Sequence, residues 1–550
     1  MSAAVYPRPK SDPVTAAQDR RTSVKNPAES VFPQPLVDAF RADPRTPAFE
    51  YRSRPVTRGE VLTQVRACVV GLRAAGLGPG GGVAVTTAVT PQGFAVQIAA
   101  HLLGCRVTGL RPGLTPAQLD HVLGTGIDAV IADASTGTPE LRAAAAGRPV
   151  LDVDRDLVAE RATATAGAAS ADDEGDEGDE GALTARGRPD DIGLITLTSG
   201  STGRPKGCAQ TYRALTEHWS WQPARWSETA ARLADGYRRY LVFGTLTSAV
   251  MLEHLALCLL SGGTAVIPEP PLEFPEIWQR YRITACLCTV PRLYQILDTL
   301  REHDIDTSSM RALLVAGSPL PPHRLAEAVD RLGPAVHQGY GQTETGMLTL
   351  LTPEDLAKGA DQVLDAVGRP MPGVDISVRD PHGRPVPAGA RGEIWVRSGG
   401  AMSGYWQDEA ETRDVLRDGW IRTRDLGTLA DDGFLRLLGR ARDVIFVNAV
   451  LHYAGAIESA LATHPDVDQV YVVGAPDEHT GEAAHAFIVP AAGRTPGEDA
   501  LRAVVRRELG EAAVPATVTL LTEVPVAPSG KPDKRALLAL LDPGPAGTPG

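Results

Sequence analysis

Residues 191–210 read DIGLITLTSGSTGRPKGCAQ. The apolar run 192–197 has the length of a buried strand. It stops at Thr198, and the ten residues from there to Gly207 hold four hydroxyl side chains, three glycines, one proline and one lysine. A strand that ends in Gly, Ser and Thr can curl its backbone N–H groups into an anion-binding nest, and hydroxyls and a lysine add contacts to phosphate oxygens. The glycines permit positive φ and close approach of a ligand. Neither GxxxxGK[ST] nor GxGxxG fits the spelling. On composition alone, a plain surface loop stays open as the alternative.

Outward from this loop, the chain alternates helix-like and strand-like stretches. RGEVLTQVRACVVGLRAAGL (58–77) and PQGFAVQIAAHLLGC (91–105) read as helices, GGVAVTT (81–87) and DAVIAD (128–133) as strands. The alternation continues to RALLVAG (311–317) and predicts an α/β fold of parallel sheets with helices on both faces. From about residue 370 the texture becomes short strands with Gly and Asp turns, DDG at 431–433 among them, which predicts a β-rich subdomain. After 439–443 follow two strands and two helices of a compact α+β unit. The expected division is a disordered leader over 1–30, a large domain over 31–439 and a small mobile C-terminal lid over 440–541.

Bulk properties narrow the function. A chain of 550 residues is expected to form about two to four domains. The net charge of −13 is partly local: ADDEGDEGDEG (171–181) carries seven acids and no base, leaving six negative charges for the rest. That run reads as a solvated, disordered insertion, and nothing favours nucleic acid or a membrane surface as partner. No apolar stretch has spanning length and the N-terminus lacks a signal-peptide core, so the expected location is cytoplasmic. Six scattered cysteines without metal spacing read as reduced, buried thiols.

Three more stretches carry chemistry. HQGYGQTETG (337–346) joins an aromatic in a tight glycine turn to a hydroxyl, Thr343, and a carboxylate, Glu344. Those suit a base, a phosphate and Mg²⁺ respectively. WIRTRDLG (420–427) ends a strand on Asp425, an acid that can hold ribose hydroxyls or cap a turn. APSGKPDKR (527–535) presents Lys531 in a Pro/Gly loop.

In this order the stretches resemble one family, the adenylate-forming superfamily of acyl-CoA and aryl-CoA synthetases, luciferases and peptide-synthetase adenylation domains. The resemblance spans roughly residues 30–540 and includes GRARDVIFVNAV (439–450), which is similar to the family's hinge. It implies that Thr198, Ser199, Gly200, Ser201, Thr202, Gly203 and Lys206 contact the β,γ-phosphates of ATP. Gly317, Ser318 and Pro319 of VAGSPL would flank the adenine, with Tyr340 stacked on it. Thr343 would touch the α-phosphate, Glu344 would bind Mg²⁺, Asp425 and Arg440 would hold the ribose, and Lys531 would bridge the acid and the α-phosphate. Arg442 would be the hinge, Ala449 would line the thiol tunnel, and Thr245, Ser248, Gly339 and Gly341 would bound the acyl pocket. The implied activity is ATP- and Mg²⁺-dependent adenylation of a small organic acid in specialised metabolism, followed by thioester formation with coenzyme A, by a monomer or homodimer. Transfer of the adenylate to a carrier protein, partner enzyme or nitrogen nucleophile is an alternative, as is a catalytically silent nucleotide-binding scaffold. Three positions depart from the family pattern: Ser248 where His is common, Arg424 where Gly is usual, and Ala449 in place of a tunnel Gly.

Overall fold

The computed structural model describes residues 31–158, 183–198, 204–440, 443–448, 450–527 and 531–541. The expected leader over 1–30, the acidic run 171–181, the loop residues Ser199, Gly200, Ser201, Thr202 and Gly203, the hinge residue Arg442 and the tunnel residue Ala449 lie outside them. Helices begin where local chemistry dictates. Thr57 and Glu60 form a reciprocal capping box at the start of Arg58–Ala74, and Thr115 with Gln118 does the same for Pro116–Leu123. No helix among the described residues is long and apolar enough to cross a membrane. All six cysteines are buried free thiols.

Four sheets form among the described residues. In the seven-stranded sheet, Gly82–Thr86, Arg106–Gly109, Ala129–Ala132, Val150–Asp152 and Ile192–Thr198 run parallel. Ile192–Thr198 then pairs antiparallel with Lys206–Thr211, placing Thr198 opposite Lys206. The expectation of parallel sheets therefore holds for their interiors and for the Val150–Asp152 edge, while antiparallel strands are added at the other edges. The opening loop therefore connects two strands that pair antiparallel. The nine-stranded sheet repeats this plan. Ala285–Thr289, Ala312–Ala316 and Val336–Gln342 run parallel in its interior, and Gly346–Leu351 returns antiparallel. Its inner strands are near-continuous apolar runs because both faces are covered.

The β-rich subdomain is antiparallel throughout, from Val374–Arg379 to Leu435–Arg440. Gly433 closes its DDG turn at φ +85°, which glycine adopts without penalty. The fourth sheet is built entirely from residues after Asp443, with a core of its own that includes Ile457, Leu461, Val472, Ile488 and Leu501.

Candidate functional site

The hairpin Val336–Gln342/Gly346–Leu351 brings Tyr340, Thr343 and Glu344 to one end of the nine-stranded sheet. Its register depends on bare backbone at Gly341. A Cβ there would lie 2.2 Å from the Gly346 carbonyl oxygen. The neighbouring strand Trp420–Leu429 delivers Asp425 to the same place. Tyr340 Oη–H donates to Asp425 Oδ2 at 2.8 Å, and Gln342 Nε2–H donates to the same oxygen at 2.6 Å. Arg440 lies opposite Asp425 in the sheet, with Nε 3.3 Å from Oδ1. Burial pushes the Asp425 pKa up, while Arg440, Tyr340, Gln342 and Lys531 pull the other way. Sequence reasoning missed Gln342, although it sits inside the GYGQTE motif.

Glu344 accepts a hydrogen bond from Tyr405 Oη at 2.8 Å, and its backbone oxygen accepts from Met402 N–H at 2.9 Å. The Thr343 hydroxyl has no hydrogen bond among the described residues. Lys206 lies over the Tyr405 ring, its Nζ 5.4 Å from the centroid and 2.8 Å from Glu411 Oε1. That oxygen also takes Arg424 Nη1 at 2.7 Å, and Arg424 Nη2 pairs with Asp414. Burial disfavours the Glu411 carboxylate, yet Lys206 and Arg424 hold its pKa below the usual range. Arg424 occupies the left-handed region at φ +58°, which accounts for glycine being at home there.

The third wall is the VAGSPL turn after Ala312–Ala316. Gly317 has φ +99°, and a Cβ on it would stand 3.7 Å from Lys531 Cε. Ser318 Oγ is buried with no partner among the described residues, a donor left for a ligand. Lys531 stays open to solvent in the cleft. Desolvation by the cleft walls, then Arg440 and Arg111, push its pKa down, against Asp425 and Glu344. Arg111 follows the strand Arg106–Gly109 and has no hydrogen bond or ion pair among the described residues. No motif marked it. Lys534 is a third omission: its Nζ reaches Asp443 Oδ2 at 2.7 Å and so ties the residues after Lys531 to the segment that follows Arg442.

Of the acyl-pocket candidates, Thr245 Oγ1 lies 2.9 Å from Thr247 Oγ1. Ser248 is the N-cap of Ala249–Leu260 but makes no capping bond. With Thr247 and Leu252 it lines a cavity of about 10 Å³, at the threshold for one water. Gly339 faces away, toward Leu314 and Met347 in the core, so the structure does not bring it to that cavity. A surface hollow of about 800 Å³ bounded by Asp304, Arg311 and Arg331 contains none of these residues.

Glu344 offers one hard carboxylate, held by Tyr405, which matches Mg²⁺, a cation that takes few protein ligands and completes its shell from phosphates and water. No cluster of three or more acid, His or Cys side chains suited to a metal occurs among the described residues.

A family model described as AMP-binding enzyme matches residues 36–406, and a second, AMP-binding enzyme C-terminal domain, matches residues 456–531. A medium/long-chain fatty acid–CoA ligase of Mycobacterium tuberculosis is 31% identical over 92% of this chain and 89% of its own. A feruloyl-CoA synthase of an Amycolatopsis species is 32% identical over 89% of this chain and 95% of its own. Among solved structures, the amide bond synthetase McbA of Marinactinospora thermotolerans superposes with TM-score 0.75 at 32% identity, covering 92% of this chain and 99% of that one. ATP-bound MatB of Rhodopseudomonas palustris gives TM-score 0.77 at 26% identity, with coverage of 92% and 99%.

Proposed function

This chain belongs to the AMP-binding enzyme family, and from that premise we propose that it is an acid–thiol ligase. It adenylates a carboxylic acid with ATP, releases pyrophosphate and passes the acyl group to coenzyme A. One observation carries the reading: Lys531, from the C-terminal unit, lies over Gly317 and within electrostatic reach of Asp425 and Glu344.

The chemistry needs that arrangement. A carboxylate and ATP repel each other, and holding both in one site offsets up to about 7–11 kcal/mol of the barrier. A carboxylate oxygen attacks the α-phosphorus, the bond to the β-phosphate bridging oxygen breaks, and charge grows on the α-phosphoryl oxygens. Lys531 stabilises that charge. Arg440 and Asp425 hold the ribose, Ser318 and Tyr340 sit at the adenine, Thr343 meets the α-phosphate, and Lys206 with the loop 198–203 meets the β,γ-phosphates. Glu344 would hold Mg²⁺, which when bound neutralises phosphate charge. Thiol attack on the acyl carbon then expels AMP. The unit over 440–541 rotates between the two steps about Arg442, withdrawing Lys531.

Pyrophosphate exchange over aliphatic, aryl and terpenoid acids tests the reading. Lys531→Ala should lower exchange about 10²–10³-fold, the scale of one lost transition-state charge contact, and leave ATP binding by calorimetry in place. The pKa of Lys531 is lowered, so its charge is lost earlier as pH rises. The alkaline fall in rate should start below the ordinary lysine value of about 10.4 and move upward in Lys531→Arg. Normal exchange by Lys531→Ala, or no exchange with any acid, would overturn the assignment.

A second reading, transfer of the acyl group to an amine, is favoured by the likeness to an amide bond synthetase along 92% of the chain. Adding coenzyme A or an amine to the preformed adenylate separates the two by product mass.

A further inference from the structure

On the helix Ala249–Leu260, Val250, Glu253, His254 and Leu257 recur at the spacing of one face. Exposure falls along it, from 42% at Val250 to 5% at Glu253 and none at His254. The face therefore opens to solvent at Val250, two residues after Ser248, and closes from Glu253 onward. Trp219 Nε1–H donates to Glu253 Oε1 at 2.6 Å. The other carboxyl oxygen, Oε2, makes no hydrogen bond among the described residues, with His218 Nε2 at 3.8 Å. His218 Nδ1 meets Ser220, with Oγ at 3.1 Å and the backbone N at 3.4 Å, while Nε2 has no hydrogen bond among the described residues. His254 Nε2 is also buried without a partner among the described residues.

This cluster backs directly onto the candidate site. A Cβ on Gly346, the residue that closes the Thr343–Glu344 turn, would stand 3.1 Å from His218 Nε2. A purely structural polar cluster satisfies its own atoms, because a buried polar group without a partner is costly. Here Glu253 Oε2 and His254 Nε2 stay open, and His218 Nε2 faces the hairpin at Gly346. Burial raises the Glu253 pKa to about 8 and lowers that of His218 to about 4, so near neutral pH both groups are uncharged and the protonated Glu253 carboxyl offers a donor at Oε2.

We propose that Glu253 and His218 form the floor of the acyl pocket and recognise a hydrogen-bond acceptor, a hydroxyl oxygen or ring nitrogen, at the end of the acid remote from its carboxyl group. The inference rests on the adenylation reading of the same site and names the substrate class within it: acids with a distal polar atom, over their purely hydrocarbon analogues.

The test measures kcat/KM for pyrophosphate exchange with matched acids: para-hydroxycinnamate against cinnamate, pyridylpropanoate against phenylpropanoate, and omega-hydroxydecanoate against decanoate. The wild type should favour the polar member of at least one pair by about 10- to 100-fold, the scale of leaving a buried group unpaired. Glu253→Leu should bring that ratio close to one, and Glu253→Gln, which keeps a donor, should retain most of it. A merely structural role would slow both members alike and leave the ratio unchanged. If Glu253→Leu fails to fold, the wild-type and Glu253→Gln ratios still decide. Exchange with ratios near one in the wild type, or a preserved ratio in Glu253→Leu, would overturn this inference alone. Exchange with no acid would overturn the adenylation reading and this inference with it.

Discussion

Arg424 is a residue whose backbone argues against it and whose side chain argues for it. A non-glycine side chain at φ +58° costs about 1–2 kcal/mol. Its guanidinium holds Glu411 and Asp414, and it shares one Glu411 oxygen with Lys206. While Arg424 is present, the Glu411 charge is divided between two cations. Without it, Glu411 attracts Lys206 alone and draws the ammonium from the phosphates. Arg424→Gly, which relieves the backbone, should raise KM for ATP about fivefold, the scale of a partly buried ion pair near 1 kcal/mol, with little change in Tm. Adding Glu411→Gln should recover the lost affinity. A KM that the second substitution leaves high would show that Arg424 acts otherwise.

At the scale of the element, the hairpin after Val336–Gln342 is set by the space at Gly341. Its missing Cβ leaves room for the Gly346 carbonyl oxygen and the Met347 backbone, neither of which can swing aside. At Gly339 the nearest atoms are the ends of the Leu314 and Met347 side chains, at 3.2 and 3.4 Å. Gly341→Ala should therefore split the strand pair, displace Thr343 and Glu344, and reduce exchange by about 100-fold, the scale of a reacting group misplaced by an ångström. Gly339→Ala should fold and retain most activity. Equal effects of the two, read by Tm and exchange rate, would count against this account of the turn.

At the scale of the whole molecule, the C-terminal unit is held in place by charge. Arg324, 1% exposed on the helix Pro322–Leu332, places Nη2 2.5 Å from Asp468 Oδ2 on the strand Val467–Asp477. Glu327 supports the same guanidinium at 3.0 Å. Removing one partner of such a buried pair is costly, about 3–5 kcal/mol in other proteins. Here the cost falls on the docking that puts Lys531 in the cleft. Asp468→Asn should slow adenylate formation tenfold or more, while thiolation of a supplied adenylate stays unchanged or speeds up. A parallel loss of both half-reactions would indicate a general fault in folding instead.

Much of this was legible in the chain itself. Helix–strand alternation fixed the fold class because period and capping are local properties: Thr57 and Glu60 start their helix without reference to anything distant. The motif residues were legible for a similar reason, since a turn that needs Gly341, or a nest of Gly, Ser and Thr, writes its requirement into consecutive positions. What the sequence could not decide lay between segments. The burial of Glu253 against His218, the sharing of Glu411 by Lys206 and Arg424, and the Arg324–Asp468 pair all join residues far apart in the chain. Each depends on desolvation and through-space charge, and only the packed tertiary structure sets those.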